Sequence, residues 1–136
     1  MNDLITWLRA QLDDDERVTQ ACAEVYPAPW DMSDRGHTAL VRADEPDFRI
    51  VAELEQSSAI DGWLGERLEH IARWDPARVL AEVDAKRRIL DMWADAQSAE
   101  FPDYWGGYAT ALDDVVRQLA LPYADRPGFR AEWRPR

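Results

Sequence analysis

The sequence predicts an α+β domain in which three to four helices pack on a small two- or three-stranded antiparallel meander. Several segments repeat apolar residues every three to four positions, which is the spacing of an amphipathic helix. Residues 30–55 instead carry short, nearly alternating runs with β-branched residues, which are typical of strands. Because a small sheet is marginal by itself in water, its apolar face is expected to pack on the helices. The 136 residues suffice for one domain, which we predict to span residues 1–136.

A first helix is predicted at residues 3–26 and is ended by Pro27 and Pro29. The acidic run at residues 13–16 could bind a cation or a basic partner. Four adjacent helical residues point around most of the circumference, however, so no more than two of them converge on one ion. We therefore interpret the run as a solvated face. The apolar stripe of this helix consists of Leu4, Ile5, Leu8, Leu12, Val18, Cys22 and Val25.

The meander is predicted at residues 30–55. Strand-like runs occupy residues 38–43 and 48–54, and residues 44–47 make a plausible turn between them. Residues 30–32 could supply a third strand.

Three further helices are predicted after the meander. Pro76 suits the first position of a helix, which makes Asp75 its N-cap, a contribution of about 1 kcal/mol. Residues 104–108 are expected to be a loop or a frayed first turn before the last helix. The predicted helices cover residues 62–74, 76–97 and 107–121, and an irregular arm follows at residues 122–136.

The basic triplet Lys86, Arg87 and Arg88 interrupts the apolar stripe of the helix at residues 76–97. At least one of the three must turn toward the apolar side, where a cation needs an acidic partner or a stem that reaches solvent. We expect an ion pair to a carboxylate at residues 13–16 or on the last long helix. The alternative is an anion pocket.

The charge balance bounds the class of partner. With 27 acidic against 16 basic residues the chain carries a formal net charge of −11, which makes nucleic-acid binding unlikely and permits an acidic mimic of DNA. Cys22 is the single cysteine, so no internal disulfide is expected. The first residues do not resemble a signal peptide and no apolar run approaches the length of a membrane span. We expect a cytoplasmic protein with no membrane partner.

Three segments carry a resemblance to a known family. Residues 70–90 read HIARWDPARVLAEVDAKRRIL, residues 119–135 read LALPYADRPGFRAEWRP, and a helix of the DLIxWLRAxLD type lies at residues 3–13. Together they resemble an uncharacterised family of small proteins from actinobacteria and their phages, a domain of unknown function. The resemblance brings no activity, cofactor or catalytic residue with it, but it implies a phage or mobile-element setting.

The candidates for chemistry are few. His70 and Glu66 stand at the i and i+4 spacing of helical zinc ligands, and His37 could supply a third ligand. More often, a histidine near a helix end only completes local hydrogen bonds. No nucleophile elbow or phosphate loop accompanies them. We therefore predict no catalytic residue, no cofactor-binding residue and no cofactor, and keep His70, Glu66 and His37 as metal candidates.

The arm interleaves basic and aromatic residues. Such a pattern suits either a structural arm that stacks on the domain or a patch that binds a partner. The candidate partner-binding residues are Tyr123, Arg126, Phe129, Arg130, Trp133 and Arg134.

The function favoured by these observations is a non-enzymatic protein-interaction module with an unidentified protein partner. Its seven tryptophans are the kind of residue that anchors interfaces. A homodimer is also expected, because the helical faces carry more Trp and Leu than one small core needs. The alternatives are a metal-binding protein or hydrolase centred on His70, and an acidic DNA-mimic inhibitor.

Overall fold

A computed structural model describes residues 1–35, 38–43, 50–55, 61–98 and 102–135. Helices of 24, 13, 22 and 19 residues far outweigh strands of six residues each. In chain order the elements are α1 (Asn2–Val25), β1 (Trp30–Arg35), β2 (Thr38–Ala43), β3 (Ile50–Glu55), α2 (Asp61–Arg73), α3 (Pro76–Gln97) and α4 (Pro102–Ala120), then short 3-10 helices at Leu121–Tyr123 and Ala131–Trp133.

The chain divides into two compact units. The first unit combines residues 1–15 with residues 82–136, and the second unit consists of residues 16–81. Helices α1 and α3 each contribute residues to both units. The prediction of one domain over residues 1–136 stays a prediction.

The apolar core of the first unit is built by helices and by the C-terminal arm. In α1, Leu4, Leu8 and Leu12 recur at every fourth residue, and this spacing brings them to one helical face. The predicted stripe does not continue beyond them, because Val18 and Val25 are exposed and Cys22 is half-buried. The remaining buried members of this core are Ile5, Val83, Leu90, Trp93, Leu112, Val116, Ala120, Tyr123 and Trp133.

The second unit contains the three strands. They form one antiparallel sheet in the order β1-β2-β3, with Trp30 opposite Ala43 and Thr38 opposite Glu55 at the ends of the two ladders. Helix α2 contacts all three strands. It does so around the buried Leu68, against which Trp30, Val51, Ile71 and Ala72 pack.

The predicted fold class is wrong. The chain is mostly helical, and it is not an α+β fold whose helices are organised on a meander. The long apolar stripe of α3 lies in a helical core with α1, α4 and the arm, whereas the strands belong to the second unit and pack with α2. The physical reason is that long helical stripes complement one another, while six-residue strands offer little apolar surface.

The start of α3 lies where the sequence predicts it. The Asp75 carboxylate accepts a hydrogen bond from the amide of Arg78 at 2.9 Å, which is the geometry of a helix N-cap. Its other oxygen accepts from the amide of Trp30 at 3.4 Å. One carboxylate thus caps α3 and fixes the first residue of β1.

Helix α4 begins earlier than the sequence predicts. We expected residues 104–108 to form a loop or frayed turn before a helix at residues 107–121, but α4 begins at Pro102. Proline at the first helical position has no amide hydrogen to satisfy and has a suitable φ, so Pro102 can begin this helix. The helix then continues through Gly106 and Gly107.

The arm packs on α1 through aromatic rings. The Trp7 ring lies 5.6 Å from that of Phe129 and 5.4 Å from that of Trp133, centroid to centroid. The indole Nε1 of Trp7 donates to the carbonyl of Pro127 at 3.0 Å. Gly128 makes this approach possible, because its φ of 86° is one that side chains disfavour. A Cβ at Gly128 would lie 3.0 Å from Trp7 Nε1.

We predict that Gly128→Ala lowers the free energy of unfolding by about 1–3 kcal/mol, because it combines the left-handed φ with a close contact to the indole. Urea denaturation followed by tryptophan fluorescence measures this change.

Gly107→Ala is the matched control. A Cβ at this helical position meets no atom within 4 Å, so alanine should raise stability by about 0.5–1 kcal/mol. Equal effects of the two substitutions would contradict the described docking of the arm.

Candidate functional site

One residue of the basic triplet on α3 pairs with α1, as the position of the triplet predicts. Arg87 Nη2 donates to Asp13 Oδ1 at 2.6 Å, which confirms the expected ion pair to residues 13–16. Arg88 instead pairs with Asp84 one turn earlier on α3, at 2.7 Å. Lys86 turns toward the arm, where its Nζ donates to the hydroxyl of Tyr123 at 3.1 Å.

Tyr123 lies at the centre of a polar network that the sequence did not reveal. Its side chain is buried, and its hydroxyl donates to Asp15 Oδ2 at 2.9 Å. The other oxygen of Asp15 accepts from Arg126 Nη2 at 2.6 Å. Lys86 and Arg126 also lie over the Tyr123 ring, at 5.2 and 4.7 Å from its centroid. The interpretation of residues 13–16 as a solvated face is therefore wrong for Asp15.

This environment shifts two proton equilibria. Burial, reinforced by the hydrogen bond to Asp15, raises the pKa of Tyr123 well above its usual range. The same carboxylate raises the pKa of Arg126. Among the described residues, no buried side-chain nitrogen or oxygen is left without a hydrogen-bond partner. The network is therefore suited to holding the arm in place.

The arm residues proposed as a partner patch make contacts within the chain. Tyr123 and Trp133 are buried in the core of the first unit, and Phe129 packs against it. Arg130 pairs with Asp3 at 3.0 Å and lies over the Trp133 ring. Arg134 lies over Phe129, at 5.6 Å from the ring centroid. These contacts support the interpretation as a structural arm, and partner binding by the arm stays a prediction.

In the second unit, α2 presents an exposed surface of different character. Leu68 is buried against the sheet, whereas the residues on the other side of the helix are exposed. We call these residues the α2 face: Glu66, Arg67, His70, Arg73 and Trp74. Trp74, which follows the helix directly, is 41% exposed.

The Trp74 ring is held by its neighbours although it is exposed. The His70 ring lies 6.2 Å from it, centroid to centroid, and the guanidinium of Arg78 lies 4.4 Å above it. An open depression of about 430 Å³ lies on the same helix, lined by Glu66, Arg67, His70 and Ile71. Arg73 pairs with Glu69 one turn earlier on the same helix. The surface thus carries both acidic and basic side chains.

Two of the three metal candidates come together on this surface. Glu66 and His70 line the same depression, while His37 lies outside the described residues. In the described ranges no three His, Cys, Asp or Glu side chains are grouped as metal ligands would be. Two side chains alone fall short of the three or four protein ligands of a typical zinc site. None of the helices in those ranges has the length and apolar character that crossing a bilayer requires.

The raised pKa of Tyr123 predicts how stability depends on pH. An unfolded tyrosine ionises near pH 10, whereas Tyr123 in the folded chain resists ionisation. The contribution of Tyr123 to the free energy of unfolding is therefore complete below about pH 10 and is lost as pH rises further. We expect Tyr123→Phe to remove this part of the alkaline decline and to lower neutral-pH stability by about 1 kcal/mol.

The measurement is the free energy of unfolding in urea between neutral and strongly alkaline pH. The unsubstituted chain is the reference, and its stability should fall more steeply at alkaline pH than that of Tyr123→Phe. The same slope in both proteins would show that the Tyr123 hydroxyl is not protected in the folded state.

The sequence was compared with known protein families, with curated proteins and with solved structures. The model of a family of unknown function, DUF6221, matches residues 1–135, which include all three segments that carry the resemblance. Neither the comparison with curated proteins nor the comparison with solved structures gave a match. The match covers nearly the whole chain, so this protein belongs to the DUF6221 family.

Proposed function

We propose that this member of the DUF6221 family is a non-enzymatic interaction module that binds another polypeptide through the α2 face. The observation that carries the proposal is Trp74, a large aromatic side chain that is 41% exposed yet held in position by His70 and Arg78. Tryptophan and arginine dominate the binding energy of many protein interfaces. A tryptophan held before binding also loses less side-chain entropy when a partner covers it.

The surroundings of Trp74 support the same role. The depression beside it offers a concave surface, and it is lined by both charged and apolar side chains. Such a mixture matches the anatomy of a protein interface, in which an apolar anchor is surrounded by polar groups. The arm, in contrast, uses its aromatic rings inside the first unit. The α2 face is therefore the better candidate for a contact surface.

The setting is proposed from the sequence alone. The resemblance in residues 70–90 and 119–135 supports an origin in actinobacteria or their phages, and we propose that the module acts in a phage or mobile-element setting. An acidic DNA mimic remains a prediction that rests only on the net charge of −11.

A metal site is the second candidate, because Glu66 and His70 line one depression. If they bind zinc, purified protein should retain the metal, chelation should lower the melting temperature, and His70→Ala should abolish both effects. Metal-free protein with an unchanged melting temperature in chelator would exclude this candidate.

We predict that a photo-crosslinking amino acid at position 74, expressed in the native host, forms a discrete adduct with a polypeptide. The matched control is the same amino acid at Met92, an apolar residue of α3 that is similarly exposed, at 46%. Position 92 should give no such adduct.

A second measurement tests the energy of the contact. Trp74→Ala should weaken binding of the captured polypeptide by about 30-fold or more, the loss typical of an interface anchor, while Met92→Ala leaves it unchanged. Indistinguishable adducts at positions 74 and 92, or no adduct at either, would contradict the proposal.

A further inference from the structure

We infer that the polypeptide bound by the α2 face is a second copy of this chain, which packs its own α2 face antiparallel against the first. This inference rests on the proposed function and names its partner. It comes from the order of charges and rings on α2, which is complementary to itself under two-fold symmetry.

Helical periodicity places the α2 face on two sides of His70. At about 100° per residue, Glu66 and Arg73 lie about 40–60° to one side of His70, and Arg67 lies about as far to the other side. Trp74 follows the helix directly, and its amide donates to the carbonyl of Ile71 at 3.1 Å, so it continues the last turn on the side of Arg67. On each side one residue precedes His70 by about one turn and the other follows it by about one turn. All five of these residues are exposed.

A two-fold axis at His70 brings unlike groups together. In an antiparallel pair related by such an axis, a residue that precedes His70 on one side faces the residue that follows His70 on the same side of the second copy. Glu66 then faces Arg73 of the second copy, and Arg73 faces Glu66 in return. On the other side Arg67 faces Trp74 of the second copy, a cation over an aromatic ring.

The contacts within the chain fit this pairing. Arg73 already pairs with Glu69, so Glu66 of the second copy would complete a group of one guanidinium between two carboxylates. The guanidinium of Arg78 lies 4.4 Å from the centroid of the Trp74 ring. Arg67 of the second copy would approach the part of the ring that remains exposed. The depression that Arg67 and His70 line gives the incoming indole a place to enter.

The net charge of the chain makes dimer formation depend on ionic strength. Each copy carries −11, so two copies repel at long range in dilute salt. At physiological ionic strength charges beyond about 8 Å are largely screened, while pairs in direct contact keep more of their attraction. The second copy is therefore best sought at that ionic strength.

Charge reversal with rescue tests the inference. The full chain, studied by sedimentation velocity over a concentration series, should be a dimer that dissociates on dilution. Glu66→Arg and Arg73→Glu should each weaken the dimer by about 100-fold, because symmetry places each substitution in the interface twice. The double variant E66R/R73E should recover affinity to within about ten-fold of the unsubstituted chain, since both pairs are restored in the opposite sense.

Glu24→Arg is the matched control, an equal charge reversal at an exposed glutamate of α1, and it should leave the dimer intact. A chain that remains monomeric up to about 1 mM, a dimer that neither single reversal weakens, or a double variant as weak as the singles would each overturn the inference. A monomer that still gives a position-74 adduct with a different polypeptide would overturn this inference and leave the proposed function standing. Melting curves of each variant establish that it is folded.

Discussion

The carboxylate of Asp15 is the contact on which the first unit depends. It accepts hydrogen bonds from Tyr123 and Arg126, residues that follow it by more than a hundred positions. Because burying a tyrosine hydroxyl without a partner costs several kcal/mol in an apolar medium, Tyr123 can enter the core only where a group such as Asp15 receives it. Trp133 follows Tyr123 into the same core, and Trp7 holds the intervening turn at Pro127. One acidic side chain thus joins the two ends of the chain.

This closure occupies the basic and aromatic side chains of the arm. The arm contains the most interface-like composition in the sequence, but its rings and cations are engaged by α1 and α3. In the second unit, Trp74 remains exposed beside His70 and Arg78, and its helix is positioned by Leu68 on the sheet. A rigid element that presents an exposed aromatic anchor is what an interaction module requires.

Local signals predicted local structure well. The Asp75-Pro76 pair predicted the start of α3. The basic triplet inside an apolar stripe predicted an ion pair to residues 13–16 or to the last long helix, and Arg87 makes such a pair with Asp13. The packing partner of α3 could not be predicted. An apolar stripe indicates which face of a helix is buried, but it does not indicate which element covers that face. The network at Asp15 could not be predicted either. It joins Asp15 to Arg126, 111 positions later, and no local sequence pattern indicates such a pair.

The most direct test of this account is the free energy of unfolding of Asp15→Ala compared with that of Asp114→Ala. Asp15 loses two hydrogen bonds from the arm, so its replacement should cost about 2–3 kcal/mol and should open the amides of the arm to hydrogen exchange. Replacement of the exposed Asp114 of α4 should change stability by no more than about 0.5 kcal/mol. Equal stabilities of the two variants, with the arm still protected from exchange, would contradict the account.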